Sequence, residues 1–182
     1  MPPIKPTKED IADAVNRTVE DLIGPDLKVL FCGINPGIYS GATGLHFARP
    51  GNRFWRVLHL AGFTTRLLDP SEEHELLADG YGITCFVERT TARADELSRG
   101  EFELGGKRLV DKILRYKPRV LAVVGIGAYR AAFNNKKALV GPQDETIGNT
   151  RVWLLPNPSG LNAHYQLPEM VNLFSEVRKA VG

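Results

Sequence analysis

The residues best equipped for chemistry fall in three stretches, each following an apolar run. The first begins with GINPG, residues 33–37. Pro36 fixes its own backbone and Gly37 permits close backbone approach, so Asn35 sits on a stiff turn. An amide held there can orient a water molecule or a polar ligand edge. Asparagine is also an ordinary turn residue, and GINPG alone supports both readings equally. The stretch continues to Trp55, with Phe47 outside any periodic pattern and Arg49, Arg53 and Arg56 close behind. Phe47 reads either as a stacking platform for a planar base or as the apolar anchor of a long loop. The arginines suit phosphate contacts or solvated surface charge.

The second stretch, residues 88–98, ERTTARADELS, offers the carboxylates of Glu88 and Asp95 beside Arg89 and Arg93. Carboxylates can act as general acids or bases. Glu88 also suits an ion pair with Arg89, and Asp95 suits the cap of the next helix. The third stretch, residues 156–165, PNPSGLNAHY, is stiffened by Pro156 and Pro158. Ser159 and Gly160 allow a tight turn, and Leu161 either wedges into a base stack from the loop tip or folds inward.

These stretches need a scaffold. Thr7 is expected to cap a helix running through Ile11, Ala14, Val15, Val19 and Leu22, ended by Gly24 and Pro25. Residues 27–34, 82–87, 119–126 and 151–155 are short apolar runs that read as buried strands. Helical patterns separate them at residues 54–63, 72–78, in the second half of 101–116, at 128–133 and at 168–181. A long loop without structure is expected between Asn35 and Asn52. Alternating strands and helices specify a parallel sheet covered on both faces. Ligands then bind beyond the carboxyl ends of the strands, at the loops starting near Asn35, Glu88, Gly127 and Pro156.

Bulk properties narrow the classes. The chain has 182 residues, 43% hydrophobic and 24% charged, which fits one domain over residues 1–182 with a sizeable core. Its net charge is +2, a balance that neither supports nor excludes nucleic acid. Cys32 and Cys85 lie in apolar runs and read as reduced core thiols. Two cysteines cannot ligate a four-thiolate cluster, and the four histidines lack metal-ligand spacing, so neither metal nor other cofactor is expected. No stretch approaches the roughly 20 apolar residues of a membrane span, and the N-terminus lacks a signal core. A cytoplasmic monomer without membrane contact is the expectation.

Together the loops resemble the mismatch-specific uracil-DNA glycosylase and thymine-DNA glycosylase family. The strings that carry the resemblance are VLFCGINPG, FARPGNRFWRVLHLAGFT, VERTT and LLPNPSGL, in the family's order. It covers the chain from about Leu27 onward, leaving residues 1–24 outside the motif-bearing core. It implies a three-layer α/β/α sandwich around a short four-stranded parallel sheet. It implies hydrolysis of the N-glycosidic bond of uracil flipped out of double-stranded DNA, with uracil in a mismatch favoured. Asn35 maps onto the residue that positions the attacking water and Phe47 onto the ring that stacks on the base. Ile34, Gly37, Ser40 and Asn157 fall at the base pocket, Ser40 where the family has a small residue. The turn over Ser159, Gly160 and Leu161 maps onto the wedge that fills the vacated space.

The chain also departs from the family pattern. Asp95 stands where relatives often carry a non-acidic residue, which suggests an auxiliary catalytic role beside the weakly basic Asn35. Ala163 replaces an arginine found in some relatives, and Cys85 a lysine found in some. Asn157 stands where other uracil-DNA glycosylases have a catalytic histidine. A nucleoside hydrolase on the same sheet and a mismatch sensor without catalysis are the rival readings.

Overall fold

The computed structural model describes residues 5–182. Five strands form one sheet: β1 (Val29–Gly33), β2 (Tyr81–Cys85), β3 (Val120–Val124), β4 (Gly141–Ile147) and β5 (Thr150–Leu155). Their order is β2-β1-β3-β5-β4. β1 pairs in parallel with both β2 and β3, and β3 pairs in parallel with β5. The chain leaves β1 for one side of the sheet and returns to the other side through β3. This reversal opens a crevice at the carboxyl ends of the strands.

β1 shows how the sequence builds two layers. Val29 and Phe31 face one core, Leu30 and Cys32 the other, as the period of a strand requires. On the first face lie α3 (Phe54–Leu60) and α7 (Leu167–Ala180). Phe31 meets Phe54 and Phe63 edge-on and lies parallel to Phe174, so one ring joins both helices to the sheet. On the second face lie α5 (Arg99–Tyr116) and α6 (Ile126–Ala132), which bring Leu109, Ile113, Ala128 and Tyr129 onto the strands. The remaining helices are α1 (Lys8–Ala12), α2 (Ile38–Thr43) and α4 (Glu75–Asp79). No helix among the described residues is long and apolar enough to cross a membrane.

The layered α/β/α reading holds, with a fifth strand added. β4 runs antiparallel to β5 through a tight turn at Gly148 and Asn149. Its sequence, GPQDETI, is largely exposed, and an edge strand facing water carries no apolar run to betray it. α5 is helical from its start, where the hydroxyl of Ser98 caps Glu101 and the Glu101 carboxylate caps Ser98. Gly105 and Gly106 had weakened its helical signature. Both are packing sites: a Cβ at Gly105 would lie 2.2 Å from the Phe86 carbonyl oxygen. The expected loop near Gly127 is absent, because Gly125 leads directly from β3 into α6.

Two further expectations change. The N-terminal helix stops at Ala12, capped by Thr7 as anticipated. Asn16 then turns through a φ of 63°, and the chain runs extended beside β2. Asn16 donates to the Thr90 carbonyl, Thr90 to the Arg17 carbonyl, and Leu22 exchanges hydrogen bonds with Ile83. Gly82 makes room for this segment, since a Cβ there would lie 2.5 Å from the Leu22 oxygen. Covering the free edge of β2 outweighed the helical spacing. Pro2, Pro3 and Pro6 also suggest a loose tail ahead of Thr7, of which Pro2 and Pro3 lie outside the described residues. The long loop after Asn35 is also not structureless, for α2 occupies its middle and ends on Gly44 at a φ of 73°.

The Gly105 contact carries a test. Gly105→Ala is expected to destabilise the fold by about 1–3 kcal/mol, as overpacking does, measured as a lower urea midpoint at unchanged slope.

Candidate active site

A cavity of about 410 Å³ opens at the carboxyl ends of β1, β2, β3 and β5. Asn35, Phe47, Cys85, Asp95, Val124, Asn157 and Leu161 contribute to its wall. Ile34, Gly37, Ser40 and Ser159 also line it. The residues named from the sequence therefore converge, with Gly160 in the adjoining turn.

Asn35 follows β1 directly, and its amide is fixed by the loop after β2. Nδ2 donates to the Arg89 carbonyl at 3.0 Å and to the Thr91 hydroxyl at 2.8 Å. The Thr91 hydroxyl donates onward to the Arg93 carbonyl at 2.7 Å, so it can only accept from Asn35. Both amide protons are thus committed, and the rotation of the amide is settled. Oδ1 has no donor among the described residues and remains an acceptor at the cavity wall. The two loops are laced further by Phe86 N–H to Gly33 O, Val87 N–H to Ile34 O and Thr91 N–H to Pro36 O. Arg89 is anchored from behind by Glu101, whose carboxyl that guanidinium, with the Ser98 backbone N–H, holds down at about 2.

Phe47 adopts a φ of 50°, an uncommon and costly conformation for an aromatic residue. Its ring stacks on Phe54 with centroids 4.0 Å apart and planes at 22°. The far edge of the ring occupies the space over Gly33. A Cβ there would lie 3.3 Å from Phe47 Cζ and 3.4 Å from Cys85 Sγ. Ser40 is buried, and its hydroxyl accepts from Ala48 N–H at 3.2 Å, closing the loop that carries Phe47. The N–H groups of Gly37 and Phe47 have no protein acceptor among the described residues.

Asn157 begins the third loop. Its Oδ1 accepts from Ser159 N–H, which leaves Nδ2 uncommitted. Ser159 Oγ accepts from Leu161 N–H, and Leu161 is 79% exposed at the tip. The inward-folded reading of Leu161 is thereby excluded. Gly160 rests on Gly51, where a Cβ would lie 2.7 Å from the Gly51 oxygen.

Arg53 corrects the sequence reading. It is not free for phosphate. Its guanidinium donates to the carbonyls of Tyr165, Ser159 and Asn162 at 2.7, 2.8 and 3.0 Å, and more weakly to Pro158. Arg49 and Arg56 are exposed and have no carboxylate partner among the described residues.

Other assignments also shift. Asp95 does not cap α5, which starts on Ser98. It sits in a short 3-10 turn, Ala94–Glu96, with its side chain 71% exposed and paired with Arg93 at 3.1 Å. Glu88 faces Lys112 at 3.8 Å rather than Arg89. Cys32 is a buried core thiol, but Cys85 lines the cavity. Burial pushes the Cys85 thiol up to about 12, so it meets the cavity as a neutral S–H. Thr91 and the supporting role of Arg53 were missed, because neither follows from local sequence. His46 was missed too: it is buried and lines the cavity, with Nε2 2.8 Å from the Glu20 carbonyl oxygen.

A mostly parallel α/β sheet with a cavity at its switch point, roofed by an exposed apolar tip, defines an α/β protein of the doubly wound kind. The family model for the uracil DNA glycosylase superfamily matches residues 20–181, and the chain belongs to that superfamily. Its fold is also similar to the solution NMR structure of a protein from Methanosarcina acetivorans, provisionally described as a uracil DNA glycosylase. The TM-score is 0.58 at 19% identity, over 90% of this chain and 99% of that one.

The Arg53 fork predicts a local effect. Hydrogen bonds to a charged group contribute about 1.5–3 kcal/mol each, so Arg53→Ala should free the loop without melting the sheet. Amide exchange should accelerate across residues 159–165 while β1 and β3 stay protected.

Proposed function

We propose that this chain is a monofunctional glycosylase of the mismatch-specific type, which hydrolyses the N-glycosidic bond of uracil flipped from double-stranded DNA. Uracil opposite guanine is its preferred target. The observation that carries this reading is the committed amide of Asn35, which leaves only an acceptor oxygen at the cavity wall.

The chemistry follows from that polarity. Oδ1 accepts a hydrogen bond from water and orients the oxygen lone pair toward C1′. The water oxygen forms its bond to C1′ as the C1′–N1 bond breaks. Uracil departs with the bonding pair as an anion and takes a proton from solvent, while the attacking water gives up its proton to solvent or to the Asp95 carboxylate. The free N–H groups of Gly37 and Phe47 and the uncommitted Nδ2 of Asn157 suit the departing anion. Phe47 stacks on the base with Phe54 behind it. Ile34 and Ser40 complete the wall. Asp95, at the mouth, stabilises the cationic sugar or takes the proton of the water.

Leu161 favours a duplex over a free nucleoside, because an isolated nucleoside needs no exposed apolar tip. Unstacking a mismatched base costs less than unstacking a paired one, which accounts for the preferred target. Asn35, Phe47 and Leu161 come from one chain, which suits action as a monomer.

Single-turnover release of uracil from a duplex with one uracil–guanine pair tests the reading. Asn35→Ala is expected to slow release by about 100-fold or more, the scale of a lost positioning contact. Undiminished release in that variant sinks the proposal. Asp95→Asn should slow release by about tenfold, less than the roughly 10²–10⁴-fold of a full general base. An unchanged rate there would remove Asp95 from the mechanism and leave Asn35 in place.

A further inference from the structure

A second cavity, of about 890 Å³, adjoins the first. The two share Phe47, Arg49 and Asn52 in their linings. The larger one extends between α2 and residues 67–72, with Tyr39, Trp55 and Leu67 among its apolar lining residues and Arg56 among its charged ones. Its volume lies in the range of sites for whole small molecules, about 300–1,000 Å³.

The charges in it are unevenly engaged. Each acidic residue is occupied: Asp10 in the cap with Thr7, Asp69 in the cap with Ser71, and Glu72 with Arg66. Arg49 and Arg56 have no carboxylate partner among the described residues. The charged groups left without a fixed partner are therefore cationic, Arg49 and Arg56 among them. Leu67 is 54% exposed at this cavity, an apolar surface beside two free guanidinium groups. An anion carrying a planar, partly apolar group complements this combination.

We infer that the second cavity is a subsite for the nucleotide next to the flipped uracil on the same strand, a proposal that rests on the glycosylase reading. The shared wall fixes the register. Arg49 belongs to both cavities, so the phosphodiester joining the two nucleotides lies against it, and Arg56 meets the following phosphate. The neighbouring base lies against Tyr39 and Leu67. The consequence is that excision depends on one flanking nucleotide and not on the other.

The test uses the full chain and duplexes carrying 2′-fluorodeoxyuridine, which is bound but not cut, with the 5′ or 3′ neighbour present or replaced by an abasic spacer. Removing one neighbour, and not the other, is expected to weaken wild-type binding by about 5–150-fold, the range of a lost base-stacking contact. Leu67→Ser should bind the intact duplex more weakly and lose most of that flank penalty. Arg56→Ala should lower the slope of log affinity against log salt by about one. Equal penalties on both flanks, a penalty unchanged in Leu67→Ser, or an unchanged salt slope in Arg56→Ala would overturn the subsite. Uracil release from the ordinary uracil–guanine duplex is measured alongside. Its absence in wild type defeats the glycosylase reading itself, whereas release without flank dependence defeats only the subsite.

Discussion

Four carbonyl oxygens of one loop converge on the guanidinium of Arg53. Carbonyls turned inward without donors would cost the loop its shape, and a planar cation with five N–H groups is the side chain able to serve several at once. Arg53 is itself held in place at the start of α3, whose first residue, Phe54, is fully buried and carries the Phe47 ring. The same short segment therefore sets the floor of the cavity and the height of its tip. Leu161 can stand exposed because the loop beneath it is fastened at Pro158, Ser159, Asn162 and Tyr165.

The other fixed point is the lacing of the loops after β1 and β2. Thr91 accepts from Asn35 only because it donates to Arg93, and Arg89 offers its carbonyl while its side chain is clamped by Glu101. A chain of hydrogen bonds with defined direction turns a symmetric-looking amide into an acceptor aimed at the cavity. Gly33 completes the arrangement by having no side chain where Phe47 and Cys85 meet. The lacing holds the Asn35 acceptor and the Phe47 ring in fixed positions at the cavity wall.

Much of this was legible in the sequence, and the reasons are local. Four parallel strands announced themselves as apolar runs because both of their faces are buried. The stiff turn at Asn35 was visible from Pro36 and Gly37, and the turn beneath Leu161 from Pro158, Ser159 and Gly160. What escaped had no local signature. β4 faces water, α2 is short and nearly without apolar period, and residues 13–22 match a helical spacing yet run beside β2. Arg53 looked like any surface arginine, because its acceptors lie more than one hundred residues further along the chain.

The sequence by itself determined the class of the sheet, the strand ends that must carry the site, and the identity of Asn35, Phe47 and Leu161 as its candidates. Burial periodicity and turn chemistry act between near neighbours, so a linear reading captures them. Only the tertiary structure decided which way the Asn35 amide points, that Leu161 is exposed, that Arg53 supports the loop beneath Leu161, and that Cys85 faces the cavity. Each of these depends on a partner distant in sequence, and no local pattern encodes a hydrogen bond whose other half is elsewhere in the chain.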